Sequence, residues 1–160
     1  MKGTYKKFSG NLYVRNDAEA RAIIRHHINT ASDEMEARDN EDRYGADIVV
    51  EEYDPVELTT DFVKYIECEV KQHWGNTDEF PFPELNIPER KAKFADKGAE
   101  FWVLNKLMNR ALVVQPDSLT SDRLEEVKNR YCPEGELFFK IPLDECQLVR
   151  METLIQEDDA

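Results

Sequence analysis

The chain has 160 residues, of which 41% are apolar and 10% are aromatic, a composition that excludes a disordered chain and predicts one globular domain over residues 1–160. No apolar run approaches the roughly 20 residues of a transmembrane helix, so a membrane is not expected as a partner and the cytoplasm is the predicted compartment. The net charge is −13, from 21 Lys and Arg against 34 Asp and Glu. A field of that sign excludes a protein that binds duplex DNA through its overall charge.

The first quarter of the chain predicts a hairpin, a helix and a charged segment. Residues 5–15 carry β-prone aromatic residues around Ser9-Gly10-Asn11, which predicts a short hairpin. Asn16 or Asp17 is then a suitable N-cap for an amphipathic helix. The segment 32–43 is polar and strongly charged, and it predicts either a second, mostly solvated helix or a transition from helix to loop.

Two strands are predicted in the middle of the chain. Residues 45–53 contain a β-branched run, and residues 62–74 alternate between two faces. The residues predicted to share one face of the second strand are Ile66, Cys68 and Val70, and those on the other are Tyr65, Glu67, Glu69 and Lys71. The segment between the strands begins at the turn-forming pair Asp54-Pro55, so we expect the two strands to be hairpin neighbours.

The remaining elements complete a mixed pattern of strands and helices. In chain order they are a loop at 75–88, a short helix from Pro88 to Ala95, strands at 101–104 and 110–114, an amphipathic helix at 121–131 and a strand at 137–141. This order favours an α/β or α+β fold in which a mixed central sheet is flanked by helices. We expect a core at 16–114, a C-terminal helix and strand within 121–150, and an acidic tail at 151–160.

Three residues carry the predicted chemistry. Glu69 and Lys71 are two apart on one strand and therefore project from the same face. Asp47 lies at the start of the preceding strand, and a hairpin would bring it beside Glu69 across roughly 5 Å. Two carboxylates at that separation repel each other, and a divalent cation relieves the repulsion. The backbone carbonyl of Val70 could add an oxygen ligand, and Lys71 would polarise water and stabilise developing negative charge. The pattern predicts metal-dependent phosphodiester hydrolysis.

The pattern resembles the signature of the PD-(D/E)XK nuclease superfamily. It consists of the Asp of Ala46-Asp47 and, after a gap, Glu69-Val70-Lys71. The apolar strand after Asp47 is similar to the Holliday-junction-resolvase and restriction-enzyme branches, although Ala46 stands where the family often has Pro. The resemblance implies a restriction-endonuclease-like sheet, Mg²⁺ or Mn²⁺ as cofactor and DNA as substrate. Asp47 and Glu69 would bind the metal, and Lys71 would be catalytic.

Further ligands are expected around this triplet. Many members of the superfamily add a Glu from the first helix; Glu19 is the candidate for a metal ligand here, with Glu34 and Glu36 as rivals. The candidates for substrate binding are the basic residues Arg90, Lys91 and Lys93, together with Gln72 after the second strand. A solvated helix face explains the basic cluster slightly better than phosphate contact does.

Other interpretations remain open from the sequence alone. The face with Glu69 and Lys71 could be the polar side of a half-exposed strand, with ion pairs worth only about 0–1 kcal/mol each. The charge of −13 also suits a non-catalytic acidic protein that binds a basic protein partner, including a DNA mimic. A nuclease fold that has lost activity has the same sequence signature. A homodimer is an expectation for a nuclease that cuts both strands.

Overall fold

The computed structural model of the protein describes residues 2–130 and 132–152, and it describes side chains from residue 17 onward within those ranges. Two helices and nine strands lie in this described part. In chain order they are α1 (Lys2–Ala31), β1 (Met35–Asp39), β2 (Ile48–Asp54), β3 (Thr59–Val70), β4 (Glu84–Pro88), α2 (Ala92–Ala95), β5 (Glu100–Leu104), β6 (Arg110–Val114), β7 (Leu124–Val127), β8 (Glu136–Pro142) and β9 (Gln147–Arg150). Neither helix in this part of the chain is both long and apolar enough to cross a membrane.

The strands form one large sheet and one small sheet. The large sheet has six strands in the order β1-β2-β3-β5-β6-β9, and the small sheet has three in the order β4-β8-β7. Only β3 and β5 run parallel in the large sheet, and the other neighbours are antiparallel. Because a parallel pair needs a long crossover connection, β4 and α2 fall between these two strands. The predicted mixed sheet is confirmed at the level of class, as a mixed α+β fold with fewer helices than expected.

The large sheet separates two apolar cores. Helix α1 packs on one face, where Ile23 and Ile24 of the helix are buried in the same cluster as Ile66 and Cys68 of β3. The opposite face is covered by the small sheet, α2 and the loop that contains Trp74. The predicted alternation at the end of β3 is confirmed, because Ile66 and Cys68 lie in the first core and Val70 packs against it. Its odd-numbered acidic residues therefore project from the other face.

The predicted hairpin of β2 and β3 is also confirmed, and the way it ends shapes the site. The two strands are antiparallel, and their last pair is Ile48 opposite Ile66. Strand β3 continues to Val70 while it pairs with β5 on its other edge. The last residues of β3 therefore have no β2 residue opposite them, and a recess opens beside this edge of the sheet.

The prediction of an N-terminal hairpin over 5–15 is wrong. Helix α1 begins at Lys2 and runs through Ser9-Gly10-Asn11 without a break. A glycine inside a helix costs only about 1 kcal/mol relative to alanine, so this turn signal is too weak to end a helix. Asn16 and Asp17 lie inside the helix and do not cap it.

The segment 32–43 is neither of the two predicted alternatives, a solvated helix or a transition from helix to loop. This segment contains β1, which pairs with β2 at the edge of the large sheet. The side chain of Asn29 accepts a hydrogen bond from the Ala37 N–H at 2.7 Å and donates one to the Ala37 carbonyl at 3.4 Å. These bonds join the strand to α1 and stabilise a conformation that the charged local sequence does not favour.

The C-terminal region differs most from the prediction. The helix expected at 121–131 is instead a 3₁₀ turn at Ser121–Arg123 followed by β7. Pairing with β8 overrides the amphipathic pattern of this segment. The strand expected at 137–141 is present as β8, and β9 was not predicted. Of the predicted acidic tail at 151–160, residues 153–160 lie outside the described residues.

The remaining predictions agree in outline. A 3₁₀ turn and α2 occupy the region of the short helix predicted after Pro88, and β5 and β6 match the two predicted strands. The loop predicted at 75–88 is shorter than expected, because residues 84–88 form β4. This strand is at the edge of the small sheet, where a proline without an N–H is tolerated.

Candidate active site

A cavity of about 480 Å³ lies beside the open edge of β3. Its charged lining residues are the carboxylates Asp17, Asp47, Glu67 and Glu69 and the cations Arg90 and Lys91. The carboxylates come from α1, the start of β2 and the end of β3, and the cations come from the 3₁₀ turn after β4. Four acids and two bases around one recess are typical of a site for a cation or a polar ligand and atypical of a packing defect.

Asp47 closes the gap where the backbone of β2 leaves β3. Its Oδ2 accepts a hydrogen bond from the backbone N–H of Cys68 at 2.9 Å, and the Cys68 thiol lies 3.4 Å from the same oxygen. The carboxylate thus satisfies a β3 donor that no β2 carbonyl reaches. This bond fixes the side chain in the cavity at a defined position along β3.

The Val70 carbonyl faces the same side of β3. Backbone polar groups alternate between the two edges of a strand, so those of residues two apart point the same way. The Cys68 N–H points toward Asp47, whereas the N–H of Lys71 points the other way and donates to the Leu104 carbonyl of β5 at 2.8 Å. The polar groups of Val70 therefore point toward the cavity edge, as the sequence-based prediction of an additional oxygen ligand requires.

Glu69 lines the cavity and is paired with Lys71, a residue that does not itself line this cavity. The Lys71 Nζ lies 3.0 Å from Glu69 Oε1, and both side chains are about one-third exposed. Lys71 follows β3 directly, so its ammonium group is held near the end of the strand. One Glu69 oxygen is thereby engaged with a cation while the residue remains accessible from solvent.

Glu67 is a functional candidate for which the sequence predicted no role beyond a position on the polar face of β3. It is 8% exposed, and the Lys91 Nζ lies 3.5 Å from its Oε2. Burial, and then the hydrogen bond and negative charge of Asp47, raise the pKa of Glu67 to about 8. At neutral pH the side chain is therefore mostly protonated and donates to Asp47. Its spacing of two from Glu69 was the available signal, since it puts both on one face.

The acid that α1 contributes is Asp17 and not the predicted Glu19. Asp17 lines the cavity, and burial followed by the charge of Asp47 raises its pKa. Residues two apart on a helix point about 200° away from each other, so Glu19 projects from another side of α1. Glu34, before β1, and Glu36, on β1, are exposed and do not line the cavity.

The predicted substrate-binding residues divide into two groups. Arg90 and Lys91 line the cavity, and Arg90 is also paired with Glu136 at 2.6 Å. Lys93 lies outside the cavity, with its Nζ 5.1 Å from the centre of the Phe94 ring. Gln72 is exposed and does not line the cavity. The structure thus brings two of these four residues to the carboxylates.

The candidate metal ligands at this site are a small number of oxygen atoms. No three His, Cys, Asp or Glu side chains in the part of the chain that the structure describes are grouped so that they could hold an ion. Mg²⁺ usually takes one or two carboxylates, keeps several waters and binds substrate phosphates. Two carboxylates, those of Asp47 and Glu69, line the cavity together with Val70. Comparisons with family models, with curated proteins and with solved structures give no match.

Proposed function

We propose that this protein is a metal-dependent nuclease that hydrolyses DNA phosphodiester bonds. The observation that carries the proposal is the shared cavity: carboxylates from two hairpin strands, Asp47 and Glu69, line it together, and the Lys71 ammonium lies 3.0 Å from Glu69. This is the arrangement that the PD-(D/E)XK resemblance implies. The mixed six-stranded sheet supports a restriction-endonuclease-like core, which is part of the same proposal.

The two carboxylates and the Val70 carbonyl would hold Mg²⁺ or Mn²⁺. When bound, the ion would neutralise charge at the site and polarise the scissile phosphate. The chain itself keeps Asp47 in place through its bond to Cys68. The protonated Glu67 beside Asp47 lowers the negative charge of the site, because it contributes a hydrogen bond in place of a fourth anion.

Lys71 would act on the reacting groups. Its ammonium group would orient the water that attacks phosphorus and stabilise the negative charge that develops on the phosphate oxygens. The Glu69 carboxylate restricts where Nζ can lie, since the two atoms are in ion-pair contact. Arg90 and Lys91 would contact the flanking phosphates. These two cations would supply a local attraction for DNA that a protein with a charge of −13 otherwise lacks.

Cleavage by matched variants tests the proposal. The full chain is incubated with Mg²⁺, Mn²⁺ or EDTA and with single-stranded, duplex and branched DNA, beside Lys71→Ala and Lys128→Ala. Lys128 is 66% exposed and does not line the cavity. We expect metal-dependent cleavage that falls about 100-fold or more in Lys71→Ala and is unchanged in Lys128→Ala. Equal cleavage by wild type and Lys71→Ala would contradict the proposal.

The charge of −13 supports one second candidate, a non-catalytic acidic protein that binds a basic partner. That function predicts no cleavage with any metal. It also predicts capture of a nucleic-acid-binding protein that is released at high salt, because surface electrostatics are screened there.

A further inference from the structure

A second cavity, of about 380 Å³, adjoins the candidate active site. Its walls include Lys71, His73, Phe80, Phe82, Asn86 and Lys140. The volume lies within the range of pockets that bind small ligands. Three of these side chains are basic or can become so, against one carboxylate in the lining, Glu84. That balance is opposite to the charge of the chain as a whole.

Lys71 connects the two cavities. It lines the second cavity, and its Nζ lies 3.0 Å from Glu69, which lines the first. A phosphate bound in the first cavity, through a divalent cation and the basic residues there, would therefore have its neighbouring nucleotide at the entrance of the second cavity. This placement rests on the proposed function, whereas the chemistry of the cavity walls does not.

Two phenylalanines of the second cavity form an aromatic surface that packs on a buried tryptophan. Phe82 is 48% exposed, and its ring centre lies 5.7 Å from that of Phe80. Phe80 in turn packs edge-on against Trp74 at 5.4 Å. Trp74 is fully buried, and its Nε1 donates to the Thr77 carbonyl at 2.9 Å. The exposed ring is therefore held on a fixed support, as a stacking surface for a planar ligand requires.

The lining of the second cavity also supplies an unmet hydrogen-bond acceptor. Asn86 Oδ1 is buried and has no hydrogen-bond partner among the described residues. A buried acceptor of this kind is uncommon and calls for a donor. Asn86 lies directly opposite Lys140 in the pairing of β4 with β8, so an amide and an ammonium group stand side by side. Asparagine amides recognise the edges of bases, and lysines bind phosphates.

We propose that the second cavity binds one unpaired nucleotide of the nucleic-acid strand that the active site cleaves. The base stacks on Phe82, an exocyclic N–H of the base donates to Asn86 Oδ1, and Lys140 and His73 lie beside the sugar-phosphate backbone. A base inside a duplex cannot make this stack without leaving its pair. The cavity therefore selects single-stranded, frayed or branched substrates over intact duplex.

The test measures binding apart from cleavage. A single-stranded oligonucleotide with one 2-aminopurine is titrated with the full chain in EDTA at low salt, and the same sequence is titrated as a duplex. The variants are Phe82→Ala and, as a matched control, Phe62→Ala, an exposed phenylalanine of β3 outside the cavity (54% exposed). Thermal melts verify that both variants are folded. A second pair is Lys140→Ala with Lys128→Ala as its control.

We expect fluorescence quenching with the single strand and an affinity about tenfold lower in Phe82→Ala, with Phe62→Ala unchanged. Lys140→Ala should reduce the slope of log affinity against log salt by roughly 0.7, and Lys128→Ala should not. Equal binding by the two phenylalanine variants, or equal Phe82 dependence with the duplex, would overturn the inference. Metal-dependent cleavage by a chain whose binding is unaffected by Phe82→Ala would support the proposed function and refute the inference. Binding that depends on Phe82 without any cleavage would support the inference and refute the proposed function.

Discussion

Replacing Glu67 by glutamine should make the protein more stable at alkaline pH. The ordinary pKa of this carboxyl is 4.5, and burial with the neighbouring Asp47 raises it to about 8 in the folded chain. As pH rises between these values, the unfolded chain releases the proton and the folded chain keeps it, so the wild type loses stability. At about 1.4 kcal/mol for each pH unit, the loss amounts to about 4 kcal/mol by pH 8, where half of the folded chains have also released the proton. The Glu67→Gln variant does not undergo this loss, since an amide does not titrate.

The quantity to measure is the difference in unfolding free energy between Glu67→Gln and wild type as a function of pH. Urea titrations at several pH values between about 4.5 and 9, monitored by tryptophan fluorescence, give both curves. The variant also removes the partner of Lys91, but that cost is an offset within this range, and only the change with pH is interpreted. Glu52→Gln, at an exposed position of β2, is the matched control and should give a flat difference.

The expected difference rises in favour of Glu67→Gln from the ordinary pKa of 4.5 to about pH 8 and then levels off. A flat curve would show that the carboxyl titrates alike in folded and unfolded chains. A curve of opposite slope would show that Lys91 keeps Glu67 charged. Either result would refute the account of a protonated Glu67 that donates to Asp47.

Two further predictions concern the structure around the site. Trp74→Ala should lower the unfolding free energy by about 3–5 kcal/mol, measured by urea titration, because the ring is fully buried and supports Phe80; a loss below about 1 kcal/mol would contradict this packing. Asp78→Asn should lower the melting temperature at pH 7, because hydrogen bonds from Arg150 and Arg110 hold the pKa of Asp78 well below its usual range. That stabilisation is present above the ordinary pKa of 3.8 and is lost as pH falls below it, so the two melting temperatures should converge in acid. A gap that stays constant with pH would contradict stabilisation by the ion pairs of Asp78 with Arg110 and Arg150.

The sequence was sufficient to predict which side chains of β3 share a face. The period of two fixes that Glu69 and Lys71 project together, and the turn at Asp54-Pro55 makes β2 the neighbour of β3. The position of Asp47 near the end of β3 follows from these two facts. This part of the site depends on local pattern, which is why it could be predicted. The expected neighbour was Glu69, but the register, with Ile48 opposite Ile66, puts Asp47 next to Glu67 and the Cys68 N–H instead.

Other parts of the site depend on contacts between distant segments. Glu67 has the same phase as Glu69, but its burial comes from the turn that carries Lys91, which lies beyond β4 in the chain. Whether Asp17 or Glu19 faces the cavity depends on how α1 is rotated about its axis relative to the sheet. Sequence periodicity does not give that rotation. The same limit explains the predicted helix at 121–131, where pairing with β8 replaces the local preference.

Binding of Mn²⁺ to the full chain tests the central claim most directly, namely that Asp47 and Glu69 share one divalent cation. Electron paramagnetic resonance of free Mn²⁺ gives the affinity for wild type, Asp47→Asn, Glu69→Gln and the exposed control Glu52→Gln. We expect the wild type and Glu52→Gln to bind alike and each site variant to bind at least tenfold more weakly. Unchanged binding in both site variants would contradict the claim.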